Sequence, residues 1–326
     1  MMHPLLTPAL QGFADPKHRR LGERGSILLE HAVAPQTARS THFYFTRFSR
    51  WCAEHDLPSL PTTTDVLWQY MLHGIASHLN ARTIIRALSV IARVHQSAGY
   101  LDPRSSDRLR SEIRKSTRKS NRRPPAYTPL AVPELRQLVS CIPFDFNGIR
   151  DKAILLLSYA GAMTSGLVVS LNVEDLHFTK RHLIINSSHF PERSIAIAAA
   201  KDVVLCPVRI LRLWVNMSGR ERGPLFLNMW RKKRLTVIDA WYMFRKRALK
   251  AGLKARRYCM SSLRAGAITS AAANGGSTLS MMLLGRLSVP ESVAKYRKRA
   301  AQWQAPKTLA YPLEALPPGR RWRRVR

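Results

Sequence analysis

The stretch Asp151-Lys-Ala-Ile-Leu-Leu-Leu-Ser-Tyr-Ala160 is apolar on nearly every side when wound as a helix. A helix with so little polar face has to be enclosed by other elements, so the segment predicts a buried central helix and a domain built around it. The 326 residues exceed one small module and suit two compact domains with tails. An apolar fraction of 45% supports folding over global disorder.

Charge sets the second constraint. Lys and Arg number 53 against 20 Asp and Glu, a formal net charge of +33. Such a surplus repels itself in any compact state, and nucleic acid is the commonest polyanion that offsets it. Solubility alone is better served by added acid than by added base. Cys52, Cys141, Cys206 and Cys259 lie far apart and form no CxxC or Cys/His cluster, which predicts neither a disulfide framework nor a metal site. A reducing compartment follows: cytoplasmic, nucleoid-associated in a bacterium or nuclear in a eukaryote. No apolar run approaches a membrane span, and Met1 to Ala14 lacks a basic region followed by a continuous apolar one, so a soluble, unprocessed chain with no membrane partner is expected.

Residues 1–38 mix Pro, Gly, His and Arg without a sustained period and read as an irregular arm. Helical spacing begins with Phe43, Phe45, Phe48, Trp51 and Cys52, and His55-Asp-Leu-Pro58 closes that element. Thr62-Thr-Thr64 can cap a helix over Asp65 to Ile75, and Ala81 to Ala98 forms a third helix carrying Arg82, Arg86 and Arg93. A helical domain over 39–103 results. Residues 104–126 are a charge run ending in a Pro pair, with Arg122 and Arg123 near its end, and read as a basic linker or strap. From Tyr127 a second domain follows over 127–305, mainly helical, with two short strands at His182 to Ser187 and Ser194 to Ala198. Residues 306–326 form a basic, proline-rich tail. The fold class is mainly α with a small antiparallel β-sheet.

Three strings resemble the tyrosine recombinase family of the phage-integrase type. One is Arg150 to Met163 followed by Val168-Val-Ser-Leu-Asn-Val-Glu-Asp-Leu176, similar to the segment around the family's first catalytic arginine. A second is Cys206-Pro-Val-Arg209, similar to the string that follows its three-stranded sheet. The third is Ser262-Leu-Arg-Ala-Gly266, then Gly285-Arg286, then Tyr296. Together they span about two-thirds of the chain in the family's order. The resemblance implies a helical core-binding domain and a catalytic-type domain closing on double-stranded DNA. It also implies strand exchange through a tyrosine that attacks a phosphodiester without metal or cofactor, and possible association with other recombinase subunits, identical or different, on the DNA. Two arginines would stabilise the extra negative charge of the transition state, and a lysine would protonate the leaving oxygen.

Carried over residue by residue, that set is incomplete. Tyr296 matches the nucleophile and Arg264 the second arginine. Thr164 stands at the first arginine, Leu167 at the glutamate that usually follows, and Ser261 at the histidine one turn before Arg264. The later His or Trp falls on Leu287 counted back from Tyr296, or on Arg286 counted from Gly285. No lysine occurs between Lys180 and Lys201, so the hairpin offers Ser188, His189 or Arg193 in its place. His189 and Arg286 are the candidate substitutes. Each lost donor of this type removes about 2.7 to 4 kcal/mol of transition-state stabilisation.

The remaining candidate DNA contacts are Arg231, Lys232 and Lys233 after Trp230, Arg245 and Arg247 on the helix that follows, and Arg256 and Arg257 beyond it. In the family an equivalent helix enters the major groove. The resemblance, with the basic charge, therefore implies a DNA-binding protein acting in recombination or integration of a mobile element, impaired in cleavage or accessory to an intact recombinase. The alternatives are a full enzyme working through substitute residues and a non-enzymatic DNA-binding regulator or plasmid-maintenance factor.

Overall fold

Phe45, Phe48, Trp51 and Cys52 fall on one face of α1 (Pro35–Glu54), and all four are buried. A computed structural model of the chain describes residues 35–119, 127–187 and 194–303, which divide into two compact units at Pro124/Pro125. In the first unit, α1 packs with α2 (Thr64–Ala76) and α3 (Ala81–Ser97) around Phe48, Leu67, Met71, Leu88 and Ile91. Tyr70 meets Phe48 edge-on at 5.0 Å between ring centroids. Thr63 caps α2 by accepting from the Val66 amide, and Asn80 caps α3 by accepting from the Arg82 amide. His95 is fully buried and serves as a strut, its Nδ1–H donating to the Ile91 carbonyl while its Nε2 accepts from the Thr62 amide.

The basic segment read as a strap from residue 104 is helical over α4 (Asp107–Lys119). Leu109 is completely buried in the core of the first unit and Ile113 packs beside it. The two apolar residues, four apart, give the run a face to dock, so the packing of this unit continues past residue 103. Arg122 and Arg123 lie outside the described residues.

The second unit is organised by the apolar segment. Ala153 to Leu157 of α6 (Phe146–Ala160) are entirely buried, with α5 (Val132–Ser140), α8 (Pro207–Ser218) and α10 (Met260–Ala273) in the same core. After α7 (Ser165–Ser170) comes a three-stranded antiparallel sheet in the order β1 (Leu176–Phe178), β2 (His182–Ile185), β3 (Ile195–Ala198). The strand β1 was not expected from the residues alone, being only three residues long. Its Leu176 pairs with Ile185, whose side chain, with Leu183, points into the core. A two-residue pair, β4 (Leu227–Asn228) with β5 (Lys233–Arg234), leads into α9 (Val237–Lys250), and α11 (Thr278–Gly285) and α12 (Glu291–Ala301) close the unit. The chain is mainly helical with small antiparallel sheets. Among the described residues no helix is long and apolar enough to cross a membrane, and no cluster of three or more His, Cys, Asp or Glu could hold a metal ion.

Candidate functional site

Ser262-Leu-Arg-Ala-Gly266 forms the first turns of α10, and its glycine explains how Arg264 is positioned. A Cβ at Gly266 would sit 2.0 Å from the Leu130 carbonyl oxygen, so only glycine lets the segment entering α5 lie directly on this helix. The Leu130 amide donates to the Ser262 carbonyl and anchors that approach. Leu263 on one side is fully buried, and Arg264 emerges half-buried on the other.

The Arg264 guanidinium donates through Nη1 to the Ala162 carbonyl at 2.9 Å and through Nη2 to the Gly285 carbonyl. It thereby ties the end of α6 to the end of α11. Tyr296 on α12 faces the same guanidinium. Burial lowers the pKa of Arg264, and the Tyr296 hydroxyl beside it pushes in the opposite direction by charge and by hydrogen bonding. The Tyr296 ring is packed at 6% exposure within the core, flanked by Lys295 with Nζ 4.9 Å from the ring centroid and by Arg299 at 6.0 Å. Tyrosine, arginine and two further cations thus converge on one spot.

Thr164 occupies the turn between α6 and α7. Its side chain is exposed and accepts from the Leu167 amide as the N-cap of α7, which a threonine does well and which supplies no positive charge. Ser261 is exposed one turn before Arg264, with its Oγ 2.9 Å from the Cys259 Sγ. One of the two readings of the later position is Arg286. It leaves α11 in the left-handed conformation, φ 46° and ψ 49°, and its Nη2 donates to the Gly161 and Ala162 carbonyls at 2.8 and 2.5 Å. Leu287 turns inward and packs against Gly285 and the core. Ser188, His189 and Arg193 lie outside the described residues.

The candidate DNA contacts separate by environment. Arg82 and Arg86 are exposed on α3, one turn apart, with Arg93 seven residues on and therefore on the same face. Arg231, Lys232 and Lys233 are exposed around the β4–β5 turn, with Lys232 in a left-handed conformation and Trp230 fully open beside them. Arg231 also donates to Asp239 at 2.7 Å. Arg245 is exposed on α9 with its guanidinium 5.4 Å from the Trp241 ring centroid, and Arg256 and Arg257 are exposed in the following loop. Arg247 departs from its expected role. Its side chain is only 11% exposed and its Nε and Nη2 donate to the buried Asp151 at 2.8 and 2.7 Å, so its charge is taken up inside the protein.

Sequence reading missed two features of this surface. Arg234 folds back to donate to the Val169, Ser170 and Leu171 carbonyls and to the Asn172 side chain, tying β5 to the end of α7. Helix α9 buries Ala240, Phe244 and Ala248 and exposes Ile238, Trp241, Tyr242, Arg245 and Leu249. The four-residue spacing of the buried set was readable from the sequence and would have identified the outward face.

A mainly helical unit with a three-stranded sheet, presenting an arginine against a helical tyrosine, has the fold of the integrase-type recombinases. No protein-family model matches the chain. It is 26% identical over 294 residues, covering 86% of each protein, to the integrase/recombinase xerD homolog of Selenomonas ruminantium. Solved structures with the same fold include a lambda integrase dimer bound to a COC′ core site, with TM-score 0.61, 15% identity, and coverage of 95% of this chain and 85% of that one. Another is the XerH site-specific recombinase bound to a palindromic difH substrate, with TM-score 0.62, 12% identity and 91% of each chain covered. A third is the Tn1549 transposon integrase with transposon right end DNA, with TM-score 0.58, 13% identity, and 87% and 97% covered. The chain is thus similar in sequence over most of its length to an integrase/recombinase and shares the fold of tyrosine recombinases.

Proposed function

We propose that this chain binds duplex DNA and acts in site-specific recombination or integration, with weak strand cleavage of its own or as an accessory partner of an intact recombinase. The observation that carries the reading is the abutment of Arg264 and Tyr296 while an uncharged, exposed Thr164 caps the neighbouring helix where an arginine is expected. One guanidinium beside a tyrosine supports phosphate capture. Loss of one charged donor slows the chemical step by about two to three decades, and losses within one site are not additive. Duplex binding is supported by the net charge of +33 and by the exposed cations on α3, around the β4–β5 turn and on α9. The relatives whose structures contain DNA are dimers or tetramers in several cases, which supports assembly of this chain with like or unlike subunits on its target.

The test is incubation with nicked suicide duplexes drawn from the DNA flanking its gene. A slow covalent adduct that is absent in Tyr296→Phe is the expected result. An adduct formed as fast as by relatives with the full catalytic set would overturn the impairment, and duplex binding with no adduct would favour the non-enzymatic regulator. Binding should weaken steeply with salt, with a log–log slope of about −0.9 per phosphate neutralised. Binding insensitive to salt would remove the electrostatic basis of the reading.

A further inference from the structure

Among the described residues Trp230 is the most exposed large apolar side chain, at 97%. Single exposed apolar residues are ordinary on protein surfaces, and what sets this one apart is its support. It stands in the turn over 229–232 that joins β4 to β5. The Asn228 Oδ1 accepts from the Trp230 and Arg231 amides at 3.1 and 3.2 Å, and the Asn228 Nδ2 donates to Asp239 in the first turn of α9 at 3.0 Å. Arg231 donates to the same Asp239 oxygen. Beyond the turn, the Arg234 guanidinium is fastened to the carbonyls at the end of α7. Lys232 closes the turn in a left-handed conformation, φ 49°. The indole is therefore carried on a braced support, which lowers the ordering cost of using it as a contact.

The neighbours of the ring say what it can meet. Arg231, Lys232 and Lys233 are all exposed, and the carboxylate bonded to the turn, Asp239, already accepts from Arg231, Asn228 and Thr236. A bare ring among cations suits a ligand in which flat π faces alternate with negative charges, and that is the pattern of bases and phosphates in a nucleic-acid strand. In an intact duplex each base face is covered by its neighbours, and inserting a ring there costs stacking energy. An unpaired base offers its face without that cost.

We propose that Trp230 is a base-stacking residue: the β4–β5 turn takes one unpaired base of a DNA strand against the indole, while Lys232 and Lys233 hold the adjoining phosphates. The proposal rests on the reading of the chain as a DNA-binding protein and names a base-contacting residue for it.

The test compares two probes with the full chain at low salt: a short, perfectly paired duplex, and the same duplex carrying one extra, unpaired 2-aminopurine, whose fluorescence is quenched when an aromatic ring stacks on it. The bulged duplex should bind about fivefold or more tighter, with its 2-aminopurine quenched on binding. Trp230→Leu keeps an apolar side chain without a π face. It should remove both the preference and the quenching while leaving affinity for the perfect duplex unchanged, and Trp230→Phe should keep part of both. Lys232→Gln with Lys233→Gln should weaken both duplexes to a similar extent. Equal binding of the two duplexes by the unmodified chain, or a 2-aminopurine that stays bright in the complex, overturns the proposal. A Trp230→Leu chain that loses the perfect duplex as much as the bulged one also overturns it, since the ring would then be a wedge in paired DNA. So does a Trp230→Leu chain that matches the unmodified one on both probes, which would leave the ring to a protein partner. If Trp230→Leu shifts the unfolding midpoint, Trp230→Phe decides by the same readings. A chain that binds neither duplex fails the parent reading, whereas one that binds both equally fails the stacking residue alone.

Discussion

Two places in the second unit bring a pair of arginines onto one acceptor, and the two acceptors differ in kind. At Asp151 the acceptor is a buried carboxylate, held by Arg150 through Nε and Nη2 at 3.0 and 2.8 Å and by Arg247 from α9. Arg150 also donates to the Leu227 carbonyl, so the cluster fastens α6 to α9 and to β4. At Ala162 the acceptor is a backbone carbonyl, reached by both Arg264 and Arg286, and Tyr296 stands next to Arg264. The first pair meets a carboxylate, and the second meets backbone carbonyl oxygens. In a chain with a surplus of +33, membership of a basic run does not say which task an arginine performs. Arg247 comes from such a run and acts as a fastening, whereas Arg286 follows the apolar string Met281-Met-Leu-Leu-Gly285 and faces the candidate site.

The comparison is tested most severely at Asp151. Replacing it with alanine strands two largely buried guanidiniums and should cost about 3 to 5 kcal/mol of stability, measured by denaturant unfolding. A loss under about 1 kcal/mol would mean that the cluster is not a fastening. Arg247→Met leaves Arg150 to hold the carboxylate, and a smaller loss of about 1 to 3 kcal/mol is expected, with duplex affinity nearly unchanged. A marked loss of duplex affinity in the folded variant would return Arg247 to the DNA-contacting set. Arg286→Gln should leave unfolding free energy within about 1 kcal/mol of the unmodified chain, because removing one of two adjacent like charges offsets the weaker hydrogen bonds. Destabilisation as large as that of Asp151→Ala would make the two pairs equivalent.

The smallest effect is a pH dependence. Burial, and after it the charge of Arg264, lowers the pKa of Arg286 from the ordinary arginine range to about 10, so its charged form is complete at neutral pH and is lost as pH rises through that value. In the first unit the sign is opposite. His95 has its pKa lowered by burial and must stay neutral to accept from the Thr62 amide, so its contribution is present above about pH 6.5 and is lost as pH falls toward its folded value.

Much of the fold was legible because it rests on local pattern. The apolar run at 151–160 read as an enclosed helix, α2 follows from its threonine cap, and α3 follows from a helical repeat. The strand β1 was not legible, since three residues carry no periodicity and their pairing with β2 depends on the rest of the sheet. In the candidate site, Tyr296 and Arg264 were singled out by their order and spacing, and the fold brings the two side by side. The count from Gly285 and the count from Tyr296 disagreed by one residue over the later position. A left-handed turn at Arg286 is what sends its side chain toward the site and Leu287 into the core.

By itself the sequence determined the class of fold, the large positive surplus, and the absence of arginine at position 164, because composition, helical periodicity and residue identity are properties of the chain alone. The tertiary structure decided which cations are engaged inside the protein and by what acceptor. Asp151 and Arg247 are 96 residues apart and Ala162 and Arg286 are 124 apart, and only packing that brings such distant segments together sets whether a guanidinium meets a carboxylate or a carbonyl.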